Sequence, residues 1–338
     1  MKKISMQKIA DKAGVSKSTV SNALSGKDHM LSKETKARIV ALAKEIGYQK
    51  ISHLIRFVVF ERREHTDNRK MNQDPKFRTL YASMENQCHL LGYRIAVNHI
   101  AETDKEKGFT YIQTLADCDG LIILGWELIQ EDLYWLREYL HMPFIIVDAS
   151  FTEPGFDYVS NNNHDAAYQL TQKMIDCGHK RIGFIHGGAM EVYNERLRGY
   201  QNALLMNHHV FDPELVCYVD RVEKSVFVQE IGAFLQKLAK RNSPMPTAFL
   251  ACDDRIAISF LASANVMNMQ FSLAGFDNLP LCMEQTPQLT SVEADYACIG
   301  RTAVKRIIDK ITDGDTKTQK IYVEMMVFER ESISLLNG

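Results

Sequence analysis

The chain has 338 residues, 46% hydrophobic and 24% charged, which is an ordinary soluble composition with room for two or three domains and full hydrophobic cores. No apolar run approaches bilayer-spanning length, and the N-terminal Met-Lys-Lys-Ile-Ser-Met-Gln-Lys lacks the apolar centre of a signal peptide, so a cytoplasmic location is expected. The formal charge of −2 hides an asymmetry: residues 1–50 hold eleven Lys/Arg against four Asp/Glu, a balance of +7, which leaves −9 for the remainder. A small basic head on a large acidic body points to a polyanion-binding module at the N-terminus.

In that head, Ser5 is placed to cap a helix with apolar positions Met6, Ile9, Ala10 and Ala13. Gly14 supplies a tight turn and Val15 a buried residue beside it. Ser16 caps a second helix with Val20, Ala23 and Leu24 inward. Ser32 caps a third that carries Ala37, Ile39, Val40, Leu42, Ala43 and Ile46 and ends at Gly47. The spacing Ile9–Ala10–Gly14–Val15–Val20 is that of a helix-turn-helix: Ala10 is small where the helices cross, and Val20 locks the second onto the first. The second helix then offers Lys17, Ser18, Ser21 and Asn22 to a DNA major groove, while Ser16 and Thr19 near its start suit phosphates.

At this point Ile-Ala-Asp-Lys-Ala-Gly-Val-Ser-Lys-Ser-Thr-Val-Ser-Asn-Ala-Leu-Ser-Gly (9–26), followed by Glu-Ile-Gly-Tyr (45–48), resembles the headpiece of the lactose/galactose repressor family of bacterial transcription regulators. The resemblance implies double-stranded operator DNA as partner, with Ser5, Thr35 and Tyr48 added to the contact set. The family usually has Arg where this chain has Asn22. Asn is matched to adenine rather than guanine, so an altered base preference is expected. The family's linker motif Asn-x-x-Ala-Arg-x-Leu is absent. Residues 49–53 form a shortened hinge, about eight residues shorter than the family pattern, and the body starts at 54. Leu54 is either a minor-groove wedge on a very short helix or, with Ile51 and Ile55, the beginning of the first strand. The apolar pattern favours the strand.

The body alternates short apolar runs with helical patterns. Strands are expected at Phe57–Phe60, Tyr93–Val97, Gly120–Leu124, Phe144–Val147, Arg181–Ile185, Thr247–Ala251 and Ser272–Phe276. This βαβ alternation implies an α/β body with parallel sheets covered by helices and a ligand site at the carboxyl ends of the strands. Further matches at 118–124, 143–148, 178–187, 196–200, 252–257, 275–278 and 287–292 extend the resemblance over nearly the whole body. They imply two lobes, like those of periplasmic sugar-binding proteins, with a small-molecule effector in the cleft and a homodimer as the working unit. The lobes are expected at 54–157 plus 292–317 and at 158–291 plus 318–334, with three crossings.

Asp148, Asp253 and Asp277 each follow an apolar strand, where carboxylates accept hydrogen bonds from vicinal hydroxyls and Arg196 donates to them. Phe77 and Trp126 are candidates to stack on a sugar ring. Asp254 and Asp277 have a structural alternative, as helix caps or ties between lobes. No cofactor or metal is expected: the seven cysteines are scattered without Cys-x-x-Cys, and neither His208-His209 nor Cys177-Gly-His179 has partners at ligand spacing. The glycine-rich Gly183–Gly188 segment is neither a dinucleotide fingerprint nor a phosphate loop. The expected function is therefore a DNA-binding repressor controlled by a small-molecule effector, a sugar or sugar derivative, rather than an enzyme. The alternatives are a ligand-independent DNA binder with a relic cleft, or a sugar-binding protein or enzyme.

Overall fold

The computed structural model describes residues 6–24, 32–46, 53–60, 74–100, 105–115, 117–149, 151, 153–188, 190–219, 224–315 and 317–336. The chain divides into two compact units, residues 1–53 with 92–94, and the rest.

The first unit contains three helices: α1 (Met6–Ala13), α2 (Lys17–Leu24) and α3 (Lys33–Glu45). Ile9, Ala10, Ala13, Val20, Ala23, Ile39 and Ala43 are buried together, with Val15, Leu24, Leu42 and Ile46 packed around them. Gly14 has φ +65°, a backbone that residues with a Cβ rarely adopt, and the turn lets the Val15 amide return to the Ala10 carbonyl at 3.1 Å. Ser16 caps α2 through the Thr19 amide at 3.0 Å, and Ser32 caps α3 through the Thr35 amide at 3.1 Å. Ala37 and Val40 lie on the exposed side of α3, because the inward stripe follows Ile39, Leu42, Ala43 and Ile46.

The second unit holds two six-stranded sheets. The first has the order β11-β5-β4-β3-β1-β2, formed by β1 (Leu54–Phe60), β2 (Arg94–Ile100), β3 (Gly120–Leu124), β4 (Phe144–Val147), β5 (Tyr158–Asn161) and β11 (Lys320–Val323). The second has the order β12-β10-β9-β8-β6-β7, formed by β6 (Ile182–His186), β7 (Val216–Tyr218), β8 (Ala248–Ala251), β9 (Ser272–Phe276), β10 (Thr290–Glu293) and β12 (Met326–Phe328). Strand β12 runs antiparallel to β10, whereas β1–β3, β3–β4, β6–β8 and β8–β9 are parallel. The central strands are buried on both faces, as the continuous apolar runs require.

The expected lobe boundaries need correction, whereas the strand reading of Leu54 agrees with the structure. Tyr158–Asn161 and Lys320–Val323, placed in the second lobe from sequence, pair with each other in the first sheet, Ile321 opposite Val159. Neither strand has the long apolar run of a central strand, and β11 is a half-exposed edge, so only partnership reveals it. The chain therefore crosses between sheets at 161–163, 293–296 and 323–326. Leu54 belongs to β1, its amide donating to Asp119 Oδ2 at 2.7 Å and its neighbour Ile55 paired with Gly120. Leu54 is thus held in the sheet rather than presented as a wedge. Ile51 lies outside the described residues.

Helix α11 (Tyr296–Thr312) is tied to the first sheet by a buried charge cluster. Arg306, 5% exposed, donates from Nε to Asp157 Oδ1 at 2.7 Å and from Nη1 to Asp315 at 2.6 Å, and Lys310 reaches Asp157 Oδ2 at 2.5 Å. Removing one member of such a cluster leaves an uncompensated buried charge. Arg306→Ala is expected to destabilise the second unit by about 3 kcal/mol in urea unfolding. A loss below about 1 kcal/mol, the range of exposed pairs, would show that Lys310 alone compensates Asp157.

Candidate functional site

The first unit presents α2 as a polar surface. Ser16, Lys17, Ser18 and Asn22 are exposed, and Thr19 is half-buried. The Ser16 hydroxyl lies 2.7 Å from Ser18 Oγ and 2.8 Å from Thr19 Oγ1, so three hydroxyls cluster at the positive end of the helix. Thr35 is half-buried with its hydroxyl 2.8 Å from Ser32 Oγ, which makes it part of the α3 cap. Ser5 and Tyr48 lie outside the described residues, as does the side chain of Ser21.

In the second unit the carboxyl ends of both sheets meet at a cleft. Each sheet reverses its winding, beside β1 and β3 in one and β6 and β8 in the other, which leaves crevices at those ends. An inner cavity of about 100 Å³ is lined by Trp126 and Asp148 from one lobe and by Tyr193 and Arg196 from the other. Asp74, Lys76, Arg255, Asp277 and Tyr296 line both this cavity and an adjoining one of about 770 Å³.

Asp148 follows β4 with φ +55° and is buried. Trp126 Nε1 donates to its Oδ2 at 2.5 Å and Asn161 Nδ2 to its Oδ1 at 2.9 Å. Tyr296 lies beside it, and burial together with the neighbouring Asp148 and Asp277 carboxylates pushes that phenol well above its ordinary range. Trp126 and Tyr296 meet edge to face, ring centres 6.4 Å apart. The indole is thus pinned by its nitrogen.

Arg196 projects from α8 (Glu191–Met206) and is 5% exposed. It donates from Nε to Asn163 Oδ1 at 2.8 Å and from Nη1 to the Cys252 carbonyl, and its guanidinium lies 4.1 Å from the Phe276 ring centre. Asn163 in turn donates to Glu195 Oε2 at 3.2 Å. Burial pushes the Glu195 carboxyl up to about 8.

Asp277 follows β9 with φ +108° and forms an ion pair with Lys76 at 2.6 Å, a contact between the lobes. Lys76 sits in the first turn of α4 (Pro75–Leu90), where Asp74 caps the helix by accepting from the Lys76 amide at 2.8 Å.

Two candidates do not line the cavity. Phe77 is buried in the first lobe, its ring stacked on Phe57 at 5.7 Å. The inward stripe of α4 runs Phe77, Leu80, Met84, Gln87 and Cys88, so the residue before Phe77 faces the cleft instead. Asp253 caps α10 (Asp254–Val266) through the Ile256 amide at 2.9 Å and accepts from Tyr193 Oη at 3.0 Å. It orients Tyr193, which does line the cavity. Sequence reasoning missed Asp74, Lys76, Tyr193, Arg255 and Tyr296. The capping pattern Asp74-Pro75 was the available signal for the first two.

Asp254 points away from Asp253. It accepts from the Leu279 amide at 2.9 Å, Cys282 Sγ at 3.0 Å and Ser291 Oγ at 2.7 Å, fixing the loop after Asp277. A Cβ on Gly275 would lie 2.3 Å from Asp254 Oδ1, which explains a glycine in β9. His179 is likewise structural, held by Thr247 at 2.8 Å and the Ser334 carbonyl at 3.1 Å.

With this geometry in hand, residues 5–50 match the bacterial regulatory proteins of the lacI family, and residues 171–333 match a periplasmic binding protein-like domain. The chain resembles the lacI family of bacterial regulatory proteins. Curated relatives span it end to end. It is 26% identical over 335 residues to the HTH-type transcriptional repressor PurR of Aliivibrio fischeri, covering 96% of this chain and 97% of that protein. It is 27% identical over 339 residues to the ribose operon repressor of Haemophilus influenzae, covering 97% and 98%. Among solved structures, the fold is shared with a transcriptional regulator CelR–cellobiose complex (24% identity, TM-score 0.70, 97% of this chain and 99% of that one). It is shared also with the lac repressor dimer bound to operator and the anti-inducer ONPF (19%, TM-score 0.70, 98% and 100%). Among the described residues no helix is long and apolar enough to cross a membrane.

The raised carboxyl of Asp254 gives this periplasmic binding protein-like body a pH signature. Burial, then the nearby Asp277 charge, push it up to about 7. The folded state therefore keeps a proton that the unfolded chain releases near pH ~4, and stability falls as pH rises between those values. Urea midpoints across that window are expected to fall less in Asp254→Asn than in the wild type, the remaining slope coming partly from Glu195. Identical slopes would show that Asp254 is ionised throughout.

Proposed function

We propose that the protein is a repressor-type regulator that binds operator DNA as a homodimer and whose operator affinity is set by a small hydroxyl-bearing effector in the cleft. The observation that carries this reading is the pairing of an exposed polar recognition helix with a cleft in which Arg196, Trp126 and Asp277 from different elements converge. A helix-turn-helix monomer contacts too few base pairs for useful specificity, so two copies read two half-sites. In this reading Lys17, Ser18, Ser21 and Asn22 are the candidate base readers, while Ser5, Ser16, Thr19, Thr35 and Tyr48 complete the DNA-binding set. With Leu54 held in β1, specificity rests on the major groove and on half-site spacing rather than on a wedge at the operator centre.

In the cleft Arg196 donates to the effector, Trp126 offers its ring, and Asp148 works mainly by holding Trp126 in place. Lobe closure changes the relation between the two lobes, and a homodimer transmits that change as a coupling free energy between sites, typically about 1–3 kcal/mol. The relative named as a ribose operon repressor and the neighbour solved as a cellobiose complex support a small polar effector.

The test combines selection of operator duplexes from a random pool with thermal-shift screening of small polar compounds, followed by DNA binding with and without each hit. Asn22→Ala is expected to relax one base position of the selected half-site. Arg196→Ala is expected to keep operator binding and lose the effector response. Unchanged operator affinity with every compound that stabilises the protein would overturn effector control, and an unchanged half-site in Asn22→Ala would remove Asn22 as a base reader.

A further inference from the structure

Resting on the reading of the cleft as an effector site, we propose that the effector carries an anionic group, a carboxylate or a phosphate ester, whose charge is received by Arg196, Arg255 and Lys76. The class is that of sugar acids and sugar phosphates rather than neutral sugars.

Size comes first. The inner cavity of about 100 Å³ is well below the roughly 300–1,000 Å³ of ordinary ligand pockets, so it takes a head group of several atoms and not a whole polyhydroxyl molecule. The body of the effector then lies in the adjoining cavity of about 770 Å³, past the ring of residues that lines both.

The balance of donors and acceptors selects the head group. A neutral polyol brings O–H donors and needs acceptors. In the inner cavity Asp148 is engaged at both oxygens, by Trp126 and Asn161, while Asp74 and Asp277 are each committed to Lys76 through one oxygen, Asp74 Oδ1 to its amide and Asp277 Oδ2 to its ammonium. The donors are less committed. Arg196, 5% exposed, gives Nε and Nη1 to neutral oxygens, and its Nη2 has no hydrogen-bond partner among the described residues. The Arg255 guanidinium has neither hydrogen bond nor ion pair among the described residues. A buried guanidinium satisfied only by a side-chain amide, a carbonyl and ring faces retains its full charge, and an anion is its complement.

The outer cavity supplies the opposite half of the match. Glu293, Asp295 and Glu324 line it, accepting from Asn278, the Cys298 amide and Asn162 respectively. The outer cavity thus sets five carboxylates against Lys76 and Arg255, whereas the inner one sets three against three cations, so an anion is disfavoured outward, where carboxylate oxygens accept from hydroxyls. The effector is therefore oriented with its acidic head inward and its hydroxyl-bearing body outward.

Calorimetry on the full-length protein tests this with D-ribose, D-glucose and D-galactose, each beside its aldonate and its terminal phosphate ester. In at least one set an anionic member is expected to bind about tenfold tighter than its neutral parent, with a preference that falls as salt is added. The carboxylate and phosphate arms identify the head. In Arg255→Gln, a substitution at an exposed position, and separately in Lys76→Met, that preference is expected to drop to about twofold or less. A neutral parent that binds at least as tightly as both derivatives would overturn the anionic head and leave the effector site standing. Failure of every member to bind the wild type would overturn both.

Discussion

The ammonium of Lys76 lies 2.6 Å from the carboxylate of Asp277, across the cleft between two lobes that each fold around their own sheet. Lys76 comes from the first turn of α4 and Asp277 from the end of β9, so the pair reads the separation of the lobes directly. Its environment sets its weight. With side chains 24% and 7% exposed, it stands between exposed pairs worth about 0–1 kcal/mol and buried pairs whose disruption costs about 3–5 kcal/mol. That range overlaps the coupling energies of about 1–3 kcal/mol with which effectors act at a distance. An effector that competes for either partner thus works at an energy scale able to change the lobe arrangement.

A second arrangement gives the cleft its rigidity. Trp126 and Asn161 bind Asp148, Asn163 binds both Glu195 and Arg196, and Arg196 reaches the Cys252 carbonyl. Asn161 and Asn163 flank the first crossing between the sheets, so one short segment orients the anchored indole of one lobe and the arginine of the other. A shift in that crossing moves both sides of the cavity together. Charge distribution follows the same division of labour: the basic first unit suits DNA, whereas the acidic body gathers Lys76, Arg196 and Arg255 at its inner cavity.

Much of this was legible in the sequence because local patterns decide it. The helix-turn-helix spacing depends on contacts a few residues apart, and its buried set Ile9, Ala10, Val20 and Ile39 follows from helical periodicity. Central strands such as Gly120–Leu124 announce themselves as apolar runs. The losses share a cause. The edge strands Tyr158–Asn161 and Lys320–Val323 exist only through partners 162 residues apart in sequence, as at Val159 and Ile321. In the site, the direction of a side chain is less legible from sequence than its type. Phe77 faces the core and Lys76 the cleft because one step along a helix turns the side chain by about 100°. Asp253 lies beside the site yet caps a helix, a choice that only the Ile256 amide and the Tyr193 hydroxyl disclose.

The central claim is that the lobe-bridging pair and operator binding are energetically linked. A double-mutant cycle of Lys76→Met and Asp277→Asn, read as affinity for a selected operator duplex in the absence of effector, measures this directly. The account predicts that each single substitution shifts operator affinity in the same direction and that the double variant resembles either single one. Operator affinities equal to the wild type in all three variants would contradict it.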